Sequence, residues 1–150
     1  MVTFGGKAGI SGFFSTYDFR LNPFCGQWEQ SVDMVQLLNF GLTWKHMQRK
    51  NLLELVQDTS SFLKIELGNI ERNQGIIHNI RGNGTMLGFD ARDGDLAASM
   101  YRWLLKQSIV VNMCSPTTLA VRPALICGPS DAAHLRNAMQ TYHVNHDNFE

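Results

Sequence analysis

The chain has 150 residues, 44% of them apolar and 17% charged, with 13 basic against 13 acidic side chains. That composition suits one core burying about two thirds of the unfolded surface and excludes a disordered or collagen-like chain. Zero formal charge gives no general pull toward nucleic acid or an acidic membrane surface, so neither is expected as a partner and any anion site must be local.

No apolar run approaches the roughly 20 residues of a membrane helix. The opening MVTFGGKAG lacks the basic start, long apolar stretch and cleavage pattern of a targeting segment. Cys25, Cys114 and Cys127 are odd in number, far apart and outside CxxC spacing. Neither a disulfide framework nor a zinc site is expected, and free thiols point to an intracellular, reducing compartment. The Asn83-Gly84-Thr85 sequon then carries little weight, because glycosylation needs a secreted chain.

In chain order, residues 1–30 hold five of the 13 glycines, one proline and many aromatics, a composition of turns and short strands. Met34, Leu37, Leu38, Leu42 and Met47 then recur at helical spacing, with Ser31 or Asp33 as cap and an end near Lys50. A second helix is expected from about Leu52. Leu55, Val56, Phe62, Leu63 and Leu67 form its apolar face, and Gly68 or Asn69 is placed to stop it. Residues 76–80 and 85–89 suggest strands joined by an Arg81-Gly82-Asn83-Gly84 turn. A helix over 95–107, strands over 109–113 and 119–121, and a helix opened by Pro129-Ser130-Asp131 and running to about His143 complete the order. The fold class is α+β, with helices packed on a small, largely antiparallel sheet.

Lys7 stands among small residues in Gly5-Gly6-Lys7-Ala8-Gly9-Ile10-Ser11-Gly12, followed by Phe13-Phe14. A lysine desolvated in such a setting has a lowered pKa and can form a Schiff base. In a generic glycine-rich loop it points at water instead, and both readings stay open on the residues alone. A phosphate-binding P-loop is excluded, since Ala8 stands where that motif needs a hydroxyl. Gly82, Gly84 and Gly88 miss the dinucleotide spacing by one residue and join two strands. His46, His78, His134, His143 and His146 form no metal-ligand pattern, so no metal is expected. Cys25 is a candidate thiol with no histidine near it in sequence. Arg122, at a strand end in Ala120-Val121-Arg122-Pro123-Ala124-Leu125, suits either a bidentate carboxylate contact or a structural ion pair.

Val2-Thr3-Phe4-Gly5-Gly6-Lys7, Ser11-Gly12-Phe13-Phe14, Trp28, Arg81-Gly82-Asn83-Gly84-Thr85 and Val121-Arg122-Pro123-Ala124-Leu125 occur in one order. In that order the chain resembles the 4-aminobutyrate aminotransferases, class III pyridoxal-phosphate-dependent enzymes of fold type I. The resemblance runs through nearly the whole chain and is most specific at the lysine block. It implies that residues 1–50 are the tail of the large cofactor domain and 51–150 the small C-terminal domain. The family's ring-nitrogen partner, stacking aromatic and phosphate cradle belong to a more upstream part of the large domain. The resemblance further implies pyridoxal 5'-phosphate as cofactor, an ω-amino acid and a 2-oxo acid as substrates, a homodimer and, in eukaryotes, the mitochondrial matrix.

By the same resemblance, Lys7 is the residue whose amine condenses with the cofactor aldehyde and, once freed, moves the proton between substrate and cofactor carbons. Two positions depart from the family pattern. Where the family has Asn-Thr-Trp-x-Gly-Asp-Pro, this chain has Gly26-Gln27-Trp28-Glu29-Gln30-Ser31-Val32, so Gln27 replaces the threonine that reaches the cofactor phosphate of the neighbouring subunit. The family's Arg-x-Arg-Pro-x-Leu becomes Ala120-Val121-Arg122-Pro123-Ala124-Leu125. The first arginine, usually assigned to substrate carboxylate, is therefore Ala120, and Arg122 matches the second. Each loss is worth about 1.5 to 3 kcal/mol, the range of hydrogen bonds to charged groups. Two function classes follow: part of a transaminase that is inactive as this chain alone, or a non-catalytic interaction module derived from one. An upstream large domain encoded in frame is the cheap discriminator.

Overall fold

The computed structural model describes residues 2–4, 12–14, 16 and 34–146. Contacts divide the chain into two compact units, Met1–Asn51 and Leu52–Glu150.

In the first unit, β1 (Val2–Phe4) and β2 (Gly12–Phe14) pair antiparallel, Val2 opposite Phe14 and Phe4 opposite Gly12. Short strands are what the glycine-rich composition implied. Phe14 is 70% exposed, while the Phe13 side chain and Trp28 lie outside the described residues. The helix α1 (Met34–Arg49) follows the expected periodicity. Its end is set by Asn51, whose left-handed φ of 48° breaks the helical path. Ser31 and Asp33, read as its caps, lie outside the described residues.

The second unit opens with α2 (Leu52–Gln74), which starts where the sequence indicated but runs past Gly68 and Asn69. A glycine inside a helix costs about 1 kcal/mol relative to alanine. Burying Ile70, which is 2% exposed, outweighs that at about 1.5–3 kcal/mol. Gly75 is the actual stop. Its φ is 63°, and its N–H donates to the Glu71 carbonyl at 3.1 Å.

The hairpin comprises β3 (Ile77–Asn83) and β4 (Met86–Ala91). The expected turn over Arg81-Gly82-Asn83-Gly84 is corrected: Arg81, Gly82 and Asn83 stay in β3, opposite Gly88, Leu87 and Met86. Only Gly84 and Thr85 connect the strands, and Gly84, with φ 56°, takes the first turn position. Gly82 spends its conformational freedom inside the strand, at φ 103°. Between His78 and Arg81 the register shifts, and Asn79 bulges out with φ 55°.

Next, α3 (Gly94–Lys106) begins at Asp93, whose carboxylate accepts the Leu96 N–H at 2.8 Å. The strand expected over 109–113 shortens to β5 (Asn112–Met113), because residues 107–109 close the helix. The Ile109 N–H bonds the Leu104 carbonyl at 2.9 Å, and Ser108 turns left-handed. After β6 (Thr118–Val121), α4 (Pro129–His146) starts with a reciprocal cap. The Gly128 carbonyl accepts the Asp131 and Ala132 N–H groups at 3.1 Å, and the Asp131 carboxylate accepts the Gly128 N–H at 2.9 Å.

The four strands form an antiparallel sheet in the order β3-β4-β6-β5. Leu87 and Phe89 of β4 and Leu119 and Val121 of β6 enter one core with Leu63, Leu67 and Ile70 of α2, Met100 and Leu104 of α3, and Leu135 and Met139 of α4. The Trp103 indole N–H donates to the Ala138 carbonyl at 2.8 Å, tying α3 to α4. The Thr59 hydroxyl donates to the Cys127 carbonyl at 3.0 Å, tying α2 to the segment before α4. Among the described residues, no helix is long and apolar enough to cross a membrane.

Candidate functional site

Alternation along β4 and β6 places Leu87, Phe89, Leu119 and Val121 in the core, and so turns Gly88, Asp90, Thr118 and Ala120 to the opposite face. Gly88 stands opposite Ala120 and Asp90 opposite Thr118. Arg81 of β3, opposite Gly88, completes this open face.

Asp90 organises one end of it. Its carboxylate accepts from Arg81 Nη2 at 2.8 Å, from the Thr118 hydroxyl at 2.7 Å and from Asn79 Nδ2 at 2.7 Å, while Arg81 Nη1 donates to the Asn79 carbonyl at 2.9 Å. The bond from Arg81, followed by that from Thr118, holds the Asp90 carboxyl far below the usual carboxylate range, against an opposing effect of burial that is smaller than either, with a lesser contribution from Asn79. In turn the bond to Asp90 raises the Arg81 guanidinium. This cluster was not singled out from the sequence. A carboxylate between Phe89 and Ala91, in an otherwise apolar strand, was the available signal.

The stability consequence has a definite sign. Because the folded carboxyl lies below its unfolded value, its contribution is complete above about pH 4 and declines as the medium is acidified further. Thermal unfolding followed from about pH 7 to about pH 3 should show this acid loss, with a shallower slope in Asp90→Asn. Equal slopes in the two proteins would contradict the assignment.

Two cavities flank the end of β6. One, about 220 Å³, opens on the sheet face beside Arg81, Gly88, Thr118, Ala120 and Arg122. The other, about 200 Å³, lies between the segment after β6 and α4, where Arg122, Cys127, Asp131 and Leu135 meet. Arg122, exposed and just past β6, borders both. It forms no ion pair among the described residues, where the ion pairs are Arg81 with Asp90 and Arg92 with Asp93. The structural ion pair considered for it is therefore not found there. Ala120 is buried, with Gly88 on one side and Asn112 on the other.

Lys7, Gln27 and Cys25 lie outside the described residues. His46, His78 and His134 are exposed and scattered, and no group of ligand residues able to hold a metal occurs among the described residues. Neither of these two cavities is lined by a lysine.

Residues 31–142 match the family model described as "Aminotransferase class-III", and the chain belongs to that family. It is 30% identical over 135 residues to a 4-aminobutyrate aminotransferase of Dictyostelium discoideum, covering 87% of this chain and 27% of that protein. Its fold is shared with a lysine aminotransferase from M. tuberculosis at 16% identity and TM-score 0.67, over 71% of this chain and 25% of that one. An S-selective transaminase from Bacillus megaterium shares it at 13% identity and TM-score 0.67, over 77% and 29% of the respective chains. The chain thus spans about a quarter of the length of these relatives. The α+β architecture of helices on a small antiparallel sheet is the one the sequence indicated.

Proposed function

We propose that the chain is the C-terminal portion of a pyridoxal-phosphate-dependent transaminase that moves an amino group from 4-aminobutyrate or a similar ω-amino acid to a 2-oxo acid. The observation that carries this reading is the family match over residues 31–142, joined to 30% identity with a 4-aminobutyrate aminotransferase. In this reading 1–50 closes the cofactor domain and 51–150 is the small domain, an assignment supported by the two contact units. The complete protein is a homodimer of the mitochondrial matrix, on the family resemblance.

Lys7 is the residue that would hold pyridoxal phosphate covalently, and Gln27 occupies the position of a phosphate contact. When bound, the cofactor supplies an electron sink for charge developing at the amino-bearing carbon. The chain's own residues must orient that carbon and move its proton: Lys7 Nζ is the proton carrier, and Arg122 the cation for a substrate carboxylate. As 150 residues alone the chain is inactive, because fixed orientation over a held ring is the source of the rate. Purified chain supplied with pyridoxal phosphate, 4-aminobutyrate and 2-oxoglutarate should form no more glutamate than Lys7→Ala. Catalytic glutamate from the wild-type chain alone would show it to be self-sufficient.

Gln27 and Ala120 support a second reading, an interaction module that keeps an aminotransferase fold without its chemistry. Joining the chain to the upstream part of the Dictyostelium relative separates the two. Lys7-dependent glutamate formation by the chimera supports the enzyme, and a folded chimera that binds cofactor and turns over no amino donor supports the module.

A further inference from the structure

We propose that Asn83, at the end of β3, is a site of spontaneous backbone rearrangement, in which Lys64 activates its carboxamide toward attack by the Gly84 amide nitrogen and the isoaspartate formed loosens the hairpin. The inference does not depend on the proposed transaminase chemistry.

The reaction consumes only water. A bond forms between Gly84 N and Asn83 Cγ, the Cγ–Nδ2 bond breaks, and the amide proton leaves with Nδ2 as ammonia, giving a cyclic imide. Water then opens the ring. Cleavage on the side-chain carbonyl leaves aspartate. Cleavage on the main-chain carbonyl leaves isoaspartate, whose backbone runs through Cγ and is one carbon longer. Ammonia is exchanged for water, with no change in oxidation state.

Three features converge on this residue. No other asparagine of the chain is followed by glycine, so only here is the attacking nitrogen free of a neighbouring side chain. Asn79 and Asn112 of the same sheet precede Ile80 and Met113, and the Asn79 amide is already held by Asp90 at 2.7 Å. Asn83 itself is exposed, at the mouth of the two-residue turn, where Gly84 has φ 56°. Its Oδ1 accepts from Lys64 Nζ of α2 at 3.3 Å. A lysine only donates, so the oxygen rather than the leaving nitrogen faces the cation. That placement draws electrons from Cγ and stabilises the oxyanion of the tetrahedral intermediate. Asp93-Gly94 carries similar letters, but a carboxylate is a poor electrophile and this one caps α3 by accepting the Leu96 N–H at 2.8 Å.

The two products differ in what they do to the fold. Aspartate keeps the backbone length and leaves an oxygen for Lys64. Isoaspartate adds a carbon between Gly82 and Gly84, where Asn83 pairs with Met86 and Gly82 with Leu87. Burial of Leu87 and Phe89 fixes the register of β4. Gly82, at φ 103° with its α-carbon close against the Met86 carbonyl, has no room to take up the added length. The pairing at the hairpin end is therefore lost. Arg81, Gly82, Met86, Leu87 and Gly88 of this hairpin also line the sheet-face cavity, which the change would reshape.

The test incubates the folded 150-residue chain in mildly alkaline buffer at physiological temperature. Peptide mass mapping follows the exchange of NH2 for OH, and enzymatic carboxyl methylation reads isoaspartate. Asn83 is expected to react well ahead of Asn79 and Asn112, and Asn83→Gln to give no product at this position. Lys64→Met should slow the reaction about twofold to fivefold, the rate equivalent of an exposed charged contact, and Lys64→Arg should restore it. Separated by chromatography, the isoaspartate form should melt several degrees lower and be cleaved faster by protease within the hairpin, while Asn83→Asp melts with the wild type. The proposal is overturned if Asn83 stays intact in the folded chain while the urea-unfolded chain reacts, or if Asn79 or Asn112 reacts as fast. Wild-type rates in Lys64→Met, or an isoaspartate form as stable as the unmodified chain, would overturn it equally.

Discussion

Restoring Gln27→Thr or Ala120→Arg in the chimera with the Dictyostelium relative should raise kcat/KM for 4-aminobutyrate by about tenfold to a hundredfold apiece. On the family pattern, each substitution would return one hydrogen bond or fork to a charged group, cofactor phosphate in the first case and substrate carboxylate in the second. The two should differ in kind. Gln27→Thr should act mainly on cofactor affinity, read as the pyridoxal phosphate concentration giving half-maximal activity, and Ala120→Arg mainly on KM for the amino donor. Position 120 sits on a strand whose alternation aims it at the open face beside Arg122. A reversion there that leaves KM unchanged would mean this face does not meet substrate.

Gly82→Ala should cost about 3 kcal/mol or more, enough to lower the melting temperature of the second unit by over about ten degrees. Two independent penalties meet at this residue. Its φ of 103° is closed to side-chain-bearing residues, and a Cβ there would run into the Met86 carbonyl oxygen across the hairpin. Neither atom can step aside without breaking the pairing of Asn83 with Met86 that closes the turn. By contrast Gly68→Ala should be neutral or stabilising, since nothing lies within 4 Å of a Cβ at that position and the residue is helical. Urea unfolding of both variants against the wild type makes the comparison, and similar midpoints for the two would refute the strain argument.

These glycines also show where the sequence was legible. The element order and the layering of helices on an antiparallel sheet followed from apolar periodicity, because burial repeats with the period of the element. Where elements stopped was harder. Gly68 and Gly75 are alike as letters, and only the packing of Ile70 decides that the helix continues through the first and ends at the second. Likewise Arg81-Gly82-Asn83-Gly84 has the letters of a turn, yet Gly82 is held in β3 by pairing with Leu87.

Ala120 lies in the last strand, β6, and Arg122 just past its end, where apolar alternation indicated a strand over 119–121. The cluster of Asn79, Arg81, Asp90 and Thr118 was missed. Its members come from three strands: register sets Thr118 opposite Asp90, and the bulge at Asn79 adds that residue's amide, so beyond the lone carboxylate in β4 the grouping is a tertiary event.

In the proposed function this chain supplies the lysine and a binding face of a transaminase. The most direct measurement is the rate of glutamate formation by the chimera carrying Gln27→Thr and Ala120→Arg, with 4-aminobutyrate, 2-oxoglutarate and pyridoxal phosphate, against the same protein bearing Lys7→Ala. Sustained turnover that Lys7→Ala abolishes is the expected result. Equal turnover with and without Lys7, or none from a folded chimera that binds the cofactor, would contradict it.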